Sequence, residues 1–174
     1  SNRQNILEWH REMSDYLKTL DPHHLITTSF ADNRNQPSVW QLPNMDLTTI
    51  HRYPHFNQWI DGKFKQFEVE ECLAYLIRER AKAHPKPVLI GEFTVSPLGR
   101  AQTHNDPTGI AFHNQLWVSL LQGALGTAMH WQWDYYLDAF DLYYHYKPLA
   151  TFLEGEDLRN MSAYGSKNEV ANGY

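Results

Sequence analysis

The chain has 174 residues, 42% of them apolar and 20% charged, proportions that fit one folded domain and exclude a disordered segment. Fifteen Lys and Arg against twenty Asp and Glu leave a formal charge of −5, which argues against a nucleic-acid partner and against an anionic membrane surface. No run approaches the ~20 apolar residues of a membrane span, and the first residues carry no basic-then-apolar signal pattern. Cys72 is the single cysteine, so there is no intrachain disulfide and no thiolate metal cluster, and cysteine usage says nothing of redox compartment. Aromatic residues reach 14%, with six Trp and ten Tyr. Rings at that density serve either a core or a cleft that takes flat apolar faces.

In residues 5–20, Ile6, Trp9, Met13, Tyr16, Leu17 and Leu20 recur at spacings of three and four, the period of an amphipathic helix that Asp21-Pro22 ends. Residues 24–30 (HLITTSF) are short and rich in β-branched side chains and predict a strand. A polar loop with Asn33, Asn35 and Pro37 follows, then a second expected strand over 47–53 (LTTIHRY), stopped by Pro54. A second helix is expected over 69–83, with Val69, Cys72, Leu73, Leu76 and Ile77 on one face and Pro85 and Pro87 closing it. Residues 87–93 (PVLIGEF) are nearly all apolar, as in a strand covered on both faces.

Beyond a loop holding Arg100, His104, Asp106 and Pro107, a third helix is expected over 109–121 and a fourth strand over 127–133 (TAMHWQW). A last helical region over 142–153 completes a domain of residues 1–154, and residues 155–174 read as a polar tail or linker. Strands alternating with helices imply an α/β fold with parallel pairing. Four such strands make a small open sheet or half of an eight-stranded barrel, and composition does not choose between them.

Glu92 is the first candidate for chemistry. It follows an apolar run and a glycine, at the strand end where sites form in parallel α/β folds. A carboxylate there is either functional or a cap on the next turn. His51 and Tyr53, two apart on a strand, share a face and so one mouth of the sheet; His51 taken alone reads more often as a satisfied strand-end group than as a functional one. Trp131 and Trp133 repeat that spacing. An exposed ring there would suit the C–H face of a pyranose, while core packing is the commoner fate of tryptophan, so Trp131 is favoured as the platform. Asp134 is a lesser candidate, since an acid at that position also caps.

The ten histidines show no metal-ligand spacing. Ser29 stands at a strand end without a G-x-S-x-G elbow. There is no glycine-rich phosphate loop, and Asn160-Met161-Ser162 is a glycosylation sequon too short to weigh.

Taken in order, EWHREMSDYLKTLDPHHLITTSF, DLTTIHRYPHF, KPVLIGEFTVSP and HNQLWVSLLQGALGTAMHWQWDYY resemble the second half of a clan-A glycoside hydrolase, similar above all to family 5-like cellulases and mannanases. The resemblance implies strands five to eight of a (β/α)8 TIM barrel with their helices. It implies Glu92 as nucleophile, His51 and Tyr53 as the strand-six pair with Tyr53 bonded to that nucleophile, and Trp131 as the strand-eight platform for the sugar, with Trp133 kept as a substrate-binding candidate from its spacing. It implies a retaining mechanism with a second carboxyl as acid/base, an oligo- or polysaccharide substrate, no cofactor, and export of the full-length protein.

The family's acid/base Asn-Glu pair precedes the first of these helices, and Glu8 and Glu12 sit on the helix itself. The expectation is therefore a half-barrel that needs its N-terminal half or a second copy of the chain, and that does not hydrolyse unactivated polysaccharide alone. The rival readings are a carbohydrate-binding barrel without catalysis and a small open sheet of other function.

Overall fold

The computed structural model describes residues 2–31, 38–53, 57–60, 63–66, 69–95 and 106–158. The loop with Asn33, Asn35 and Pro37, the Pro54 stop, His55, the Arg100 and His104 part of the later loop, the Asn160 sequon and the tail from 159 lie outside the described residues.

Helix α1 (Asn2–Leu20) ends as expected. The Asp21 carboxylate accepts the amides of His23 and His24 at 3.0 and 3.1 Å, turning the chain, and the bond from the His24 amide is the main cause of its lowered carboxyl pKa. A short 3-10 helix (Val39–Gln41), absent from the sequence expectation, buries Val39 and Trp40 completely. Val39 joins Leu42 and Met45 in a small core under α1, onto which Leu7, Ile26 and Phe30 pack.

Strand β1 (Thr48–Arg52) and a hairpin of β2 (Asn57–Ile60) and β3 (Lys63–Gln66), unforeseen in the sequence, lead into α2 (Val69–Ala83). Strand β4 (Val88–Phe93) pairs in parallel with β1, whereas β2 and β3 pair antiparallel with each other. Helix α3 (Ile110–Leu121) follows Gly109, whose φ of +69° suits a residue without a Cβ. Its first free amides, those of Ile110 and Ala111, donate to the Asp106 carboxylate at 2.8 and 2.9 Å, which satisfies donors every helix start leaves open. A π-helix (Trp133–Asp138), a 3-10 helix (Leu142–His145) and α4 (Tyr146–Phe152) close the described chain.

The main core lies between the β1–β4 pair and helices α2 and α3. Ile50, Val88, Ile90 and Phe93 meet Leu73 and Ile77 from α2 and Phe112, Leu116 and Leu120 from α3. The i, i+4, i+8 spacing of the α3 residues puts all three on one helical stripe. Each fully buried side chain of this size contributes roughly 1.5–3 kcal/mol before entropy is charged against it.

Two expected strands are not regular strands. Residues 25–30 form an extended segment whose described backbone bond to the next strand's approach runs from the Asp46 amide to the Ile26 carbonyl, at 2.8 Å. Side chains make the other links, Thr27 to Thr49 and Ser29 to His51, both at 2.8 Å, so the spacing of a strand is kept without its ladder.

Residues 124–131 run along β4 with bonds from the Leu125 amide to Val88, from the Met129 amide to Ile90 and from the Trp131 amide to Phe93. Two residues of β4 are thus matched by four between Leu125 and Met129. The excess bows toward α3, where Ser119 Oγ accepts the Ala128 amide and Thr127 Oγ1 donates to the Leu116 carbonyl. The expected strand over 127–133 is therefore reduced to a single bridge at His130, with another before it at Ala124, and Trp133 already belongs to the π-helix. Four successive segments still lie side by side in chain order, which is how a parallel α/β layer grows.

Candidate active site

Glu92 faces its partners because β1 and β4 slip in register. Thr48, Thr49 and Ile50 lie opposite Val88, Leu89 and Ile90, but His51 lies opposite Glu92, leaving Gly91 as the extra residue. The slip changes the alternation, so Ile90 and Phe93 both enter the core while Glu92 turns to the other side with Leu89. A regular strand would place residue 92 on the side of Ile90, among the helices.

Gly91 has a second role. A Cβ there would sit 2.9 Å from His51 Nε2 and 2.9 Å from Thr49 Cγ2, so the imidazole occupies space only a glycine leaves open. Gly91→Ala should displace His51 and destabilise the fold by about 1–3 kcal/mol, read as a lower urea midpoint; an unchanged midpoint would contradict this packing.

Two groups reach the same oxygen of Glu92. The Tyr53 hydroxyl donates to Oε2 at 2.5 Å, and His51 Nδ1 lies 3.2 Å from it. The Tyr53 hydroxyl pKa is raised, first by burial and then by its bond to Glu92, so the phenol remains a donor. His51 is buried at 9% exposure, while the Glu92 side chain keeps 23%. A partly open carboxylate held from behind by a hydroxyl and faced by an imidazole nitrogen can present its other oxygen to a reacting carbon.

Of the residues expected from sequence, the structure thus brings Glu92, His51 and Tyr53 into one cluster. Trp131 stands at the same end of the sheet, its amide donating to the carbonyl of Phe93 at 2.8 Å, and its ring is 54% exposed. Trp133 is 56% exposed but opens the π-helix, so two-residue alternation no longer places it beside Trp131. Asp134 is exposed within the same helix.

No sequence pattern singles out Thr94 and Gln132. The Thr94 hydroxyl donates to Gln132 Oε1 at 2.5 Å, and both are buried. That bond joins the two chain segments that carry Glu92 and Trp131. Ser29 was set aside for want of an elbow motif, yet its Oγ lies 2.8 Å from His51 Nε2. Among the described residues no group of three or more His, Cys, Asp or Glu could hold a metal ion, and no helix is long and apolar enough to cross a membrane.

No known protein-family model matches the chain. It is 33% identical to the "Probable mannan endo-1,4-beta-mannosidase C" of Aspergillus terreus, over 34% of this chain and 20% of that protein. It is 30% identical to the mannan endo-1,4-beta-mannosidase 4 of Solanum lycopersicum, over 49% of this chain and 25% of that protein. The chain therefore spans a quarter or less of the length of these curated relatives. In structure it resembles the endo-beta-1,4-mannanase from Thermotoga petrophila with a TM-score of 0.50 and 21% identity, over 75% of this chain and 31% of that one. That likeness bears on fold alone, and the fold is of the TIM-barrel type. Over the matched part of its length, the chain is related to the clan-A glycoside hydrolases of the family 5 type.

Proposed function

We propose that this chain carries the nucleophile half of a retaining glycoside hydrolase acting on β-1,4-mannan, with Glu92 as nucleophile. The observation that carries the reading is the carboxylate at the end of β4, held by the Tyr53 hydroxyl and set against His51 Nδ1. In the reaction, a Glu92 oxygen attacks the anomeric carbon, and the bond to the leaving oxygen breaks with its electron pair. A second carboxyl, about 5–5.5 Å away in retaining enzymes, protonates that oxygen and later activates water. Trp131 offers its exposed ring to the sugar. The mannan assignment follows the names of the two relatives. A polymeric substrate of this kind is met outside the cell, which fits an exported protein.

The second carboxyl is assigned to residues beyond those in the cluster: strands one to four of the barrel, or a second copy of the chain. Helix α1 supports such a partner. It turns Ser14 and His10 inward, yet leaves Trp9 57%, Tyr16 57% and Leu20 65% exposed along one stripe. On this reading the chain alone turns over unactivated mannan poorly.

The test is covalent trapping. An activated 2-deoxy-2-fluoro-β-mannoside has a leaving group that needs little acid assistance, so the nucleophile reports without its partner. A one-sugar mass increase on the peptide containing Glu92 is expected. Label on another residue, or none, would overturn the assignment. Mannan binding without any covalent label would favour a carbohydrate-binding barrel, for which the exposed Trp131 is the supporting feature.

A further inference from the structure

We infer that Ser29 is a positioning residue for Glu92, acting through the tautomer of His51. Its consequence for catalysis rests on the glycosidase reading; the tautomer does not. Thr27 and Ser29, two apart on the extended segment 25–30, meet Thr49 and His51, two apart on β1. Ser29 Oγ lies 2.8 Å from His51 Nε2, and the opposite ring nitrogen, Nδ1, lies 3.2 Å from Glu92 Oε2.

An electron pair on Nδ1 would face a carboxylate oxygen, which favours hydrogen on Nδ1, and a hydroxyl donating to Nε2 favours the same tautomer. A neutral imidazole has one N–H, which leaves the electron pair on Nε2, and there the exposed Ser29 hydroxyl donates. Which ring nitrogen is protonated follows from the bond the other one makes. In the neutral ring Ser29 thereby lets His51 offer an N–H to Glu92.

In Ser29→Ala one of the two biases is gone, so the Nε2–H form gains population and a share of the molecules loses the hydrogen that faces Glu92. The rate of covalent trapping at Glu92 should then fall about 10-fold, as for loss of one hydrogen bond to a charged group. Ser29→Thr keeps the hydroxyl and should restore the rate.

The tautomer is read directly from two-bond proton–nitrogen correlations of the chain labelled with ¹⁵N-histidine, with the His51 signal assigned by its loss in His51→Gln. The expected pattern is Nδ1–H in the unsubstituted protein, a raised share of Nε2–H in Ser29→Ala and Nδ1–H again in Ser29→Thr. A merely structural serine would not move this signature. An Nε2–H pattern in the unsubstituted protein, or an undiminished share of Nδ1–H in Ser29→Ala, would overturn the assignment. A switched tautomer with equal trapping rates would overturn the link to Glu92. Should Ser29→Ala fail to fold, the spectrum of the unsubstituted chain still decides the tautomer. A chain with the Nδ1–H pattern that takes no label at Glu92 upholds the Ser29–His51 relation and removes the glycosidase reading instead.

Discussion

Glu92→Gln should abolish covalent trapping, slowing it roughly 10⁴- to 10⁶-fold as loss of a nucleophile does in other covalent enzymes, while the protein stays folded. The substitution keeps shape and removes reactivity. An amide oxygen can occupy the place of Oε2 and still accept from Tyr53 and His51, whose contacts both converge on that atom. The same amide is far too weak a nucleophile to attack an anomeric carbon. Intact-mass spectra of the two proteins with the activated fluoro-mannoside, beside matched urea unfolding curves, make the comparison. Equal labelling of Glu92→Gln would place the nucleophile elsewhere. A loss of labelling accompanied by unfolding would instead make Glu92 a structural residue.

Acidification from pH 7 to pH 4 should cost about 3 kcal/mol of stability through His130 alone. His130 is 1% exposed, its ring edge-on to Phe93 and Phe112 with centroids at 5.0 and 5.7 Å, and burial pushes its pKa down to about 3. Its Nδ1 accepts the Gln132 amide at 3.0 Å, so the neutral ring carries its hydrogen on Nε2. A second proton would both charge a buried ring and break that bond.

The folded value lies below the ordinary histidine value of 6.5. Between the two the unfolded chain binds more protons, so stability is complete above about pH 6.5 and drains away as pH falls toward about 3. His84, whose pKa is also lowered, first by burial and then by the charges of Arg80 and Lys86, adds loss of the same sign. His130→Asn keeps an acceptor near the Gln132 amide and cannot titrate. Urea unfolding at both pH values should show a markedly smaller difference in that variant. An equal pH dependence would mean that His130 is not the buried base.

Much of the scaffold was legible in the residues because local rules and tertiary packing agree there. The three- and four-residue spacing from Ile6 to Leu20 produced α1, and the apolar face running from Cys72 to Ile77 produced α2 with the expected bounds. Neither the hairpin of β2 and β3 nor the 3-10 turn around Trp40 carried a comparable signal. Their segments are short, and short segments take their form from contacts rather than from propensity.

The two expected strands that dissolved fail for a related reason. HLITTSF has the composition of a strand, but a ladder also needs backbone partners in register, and its links to β1 run mainly through hydroxyls and an imidazole. TAMHWQW follows β4 only in part, because Ser119 and Thr127 draw two residues toward α3.

Residue order alone determined that the chain builds parallel α/β layers, that a carboxylate ends the most apolar strand, and that His51 and Tyr53 share a face near it. Those features depend on periodicity and on the cost of burying charge, both written in neighbouring residues. Only the tertiary structure decided that Glu92 turns away from the helices, since that depends on a one-residue slip at Gly91 between strands some forty residues apart in sequence. It alone set Ser29 against His51 and buried His130 so that its pKa falls, because both depend on which distant side chains meet. Register and burial are properties of the packed chain, and no local pattern encodes them.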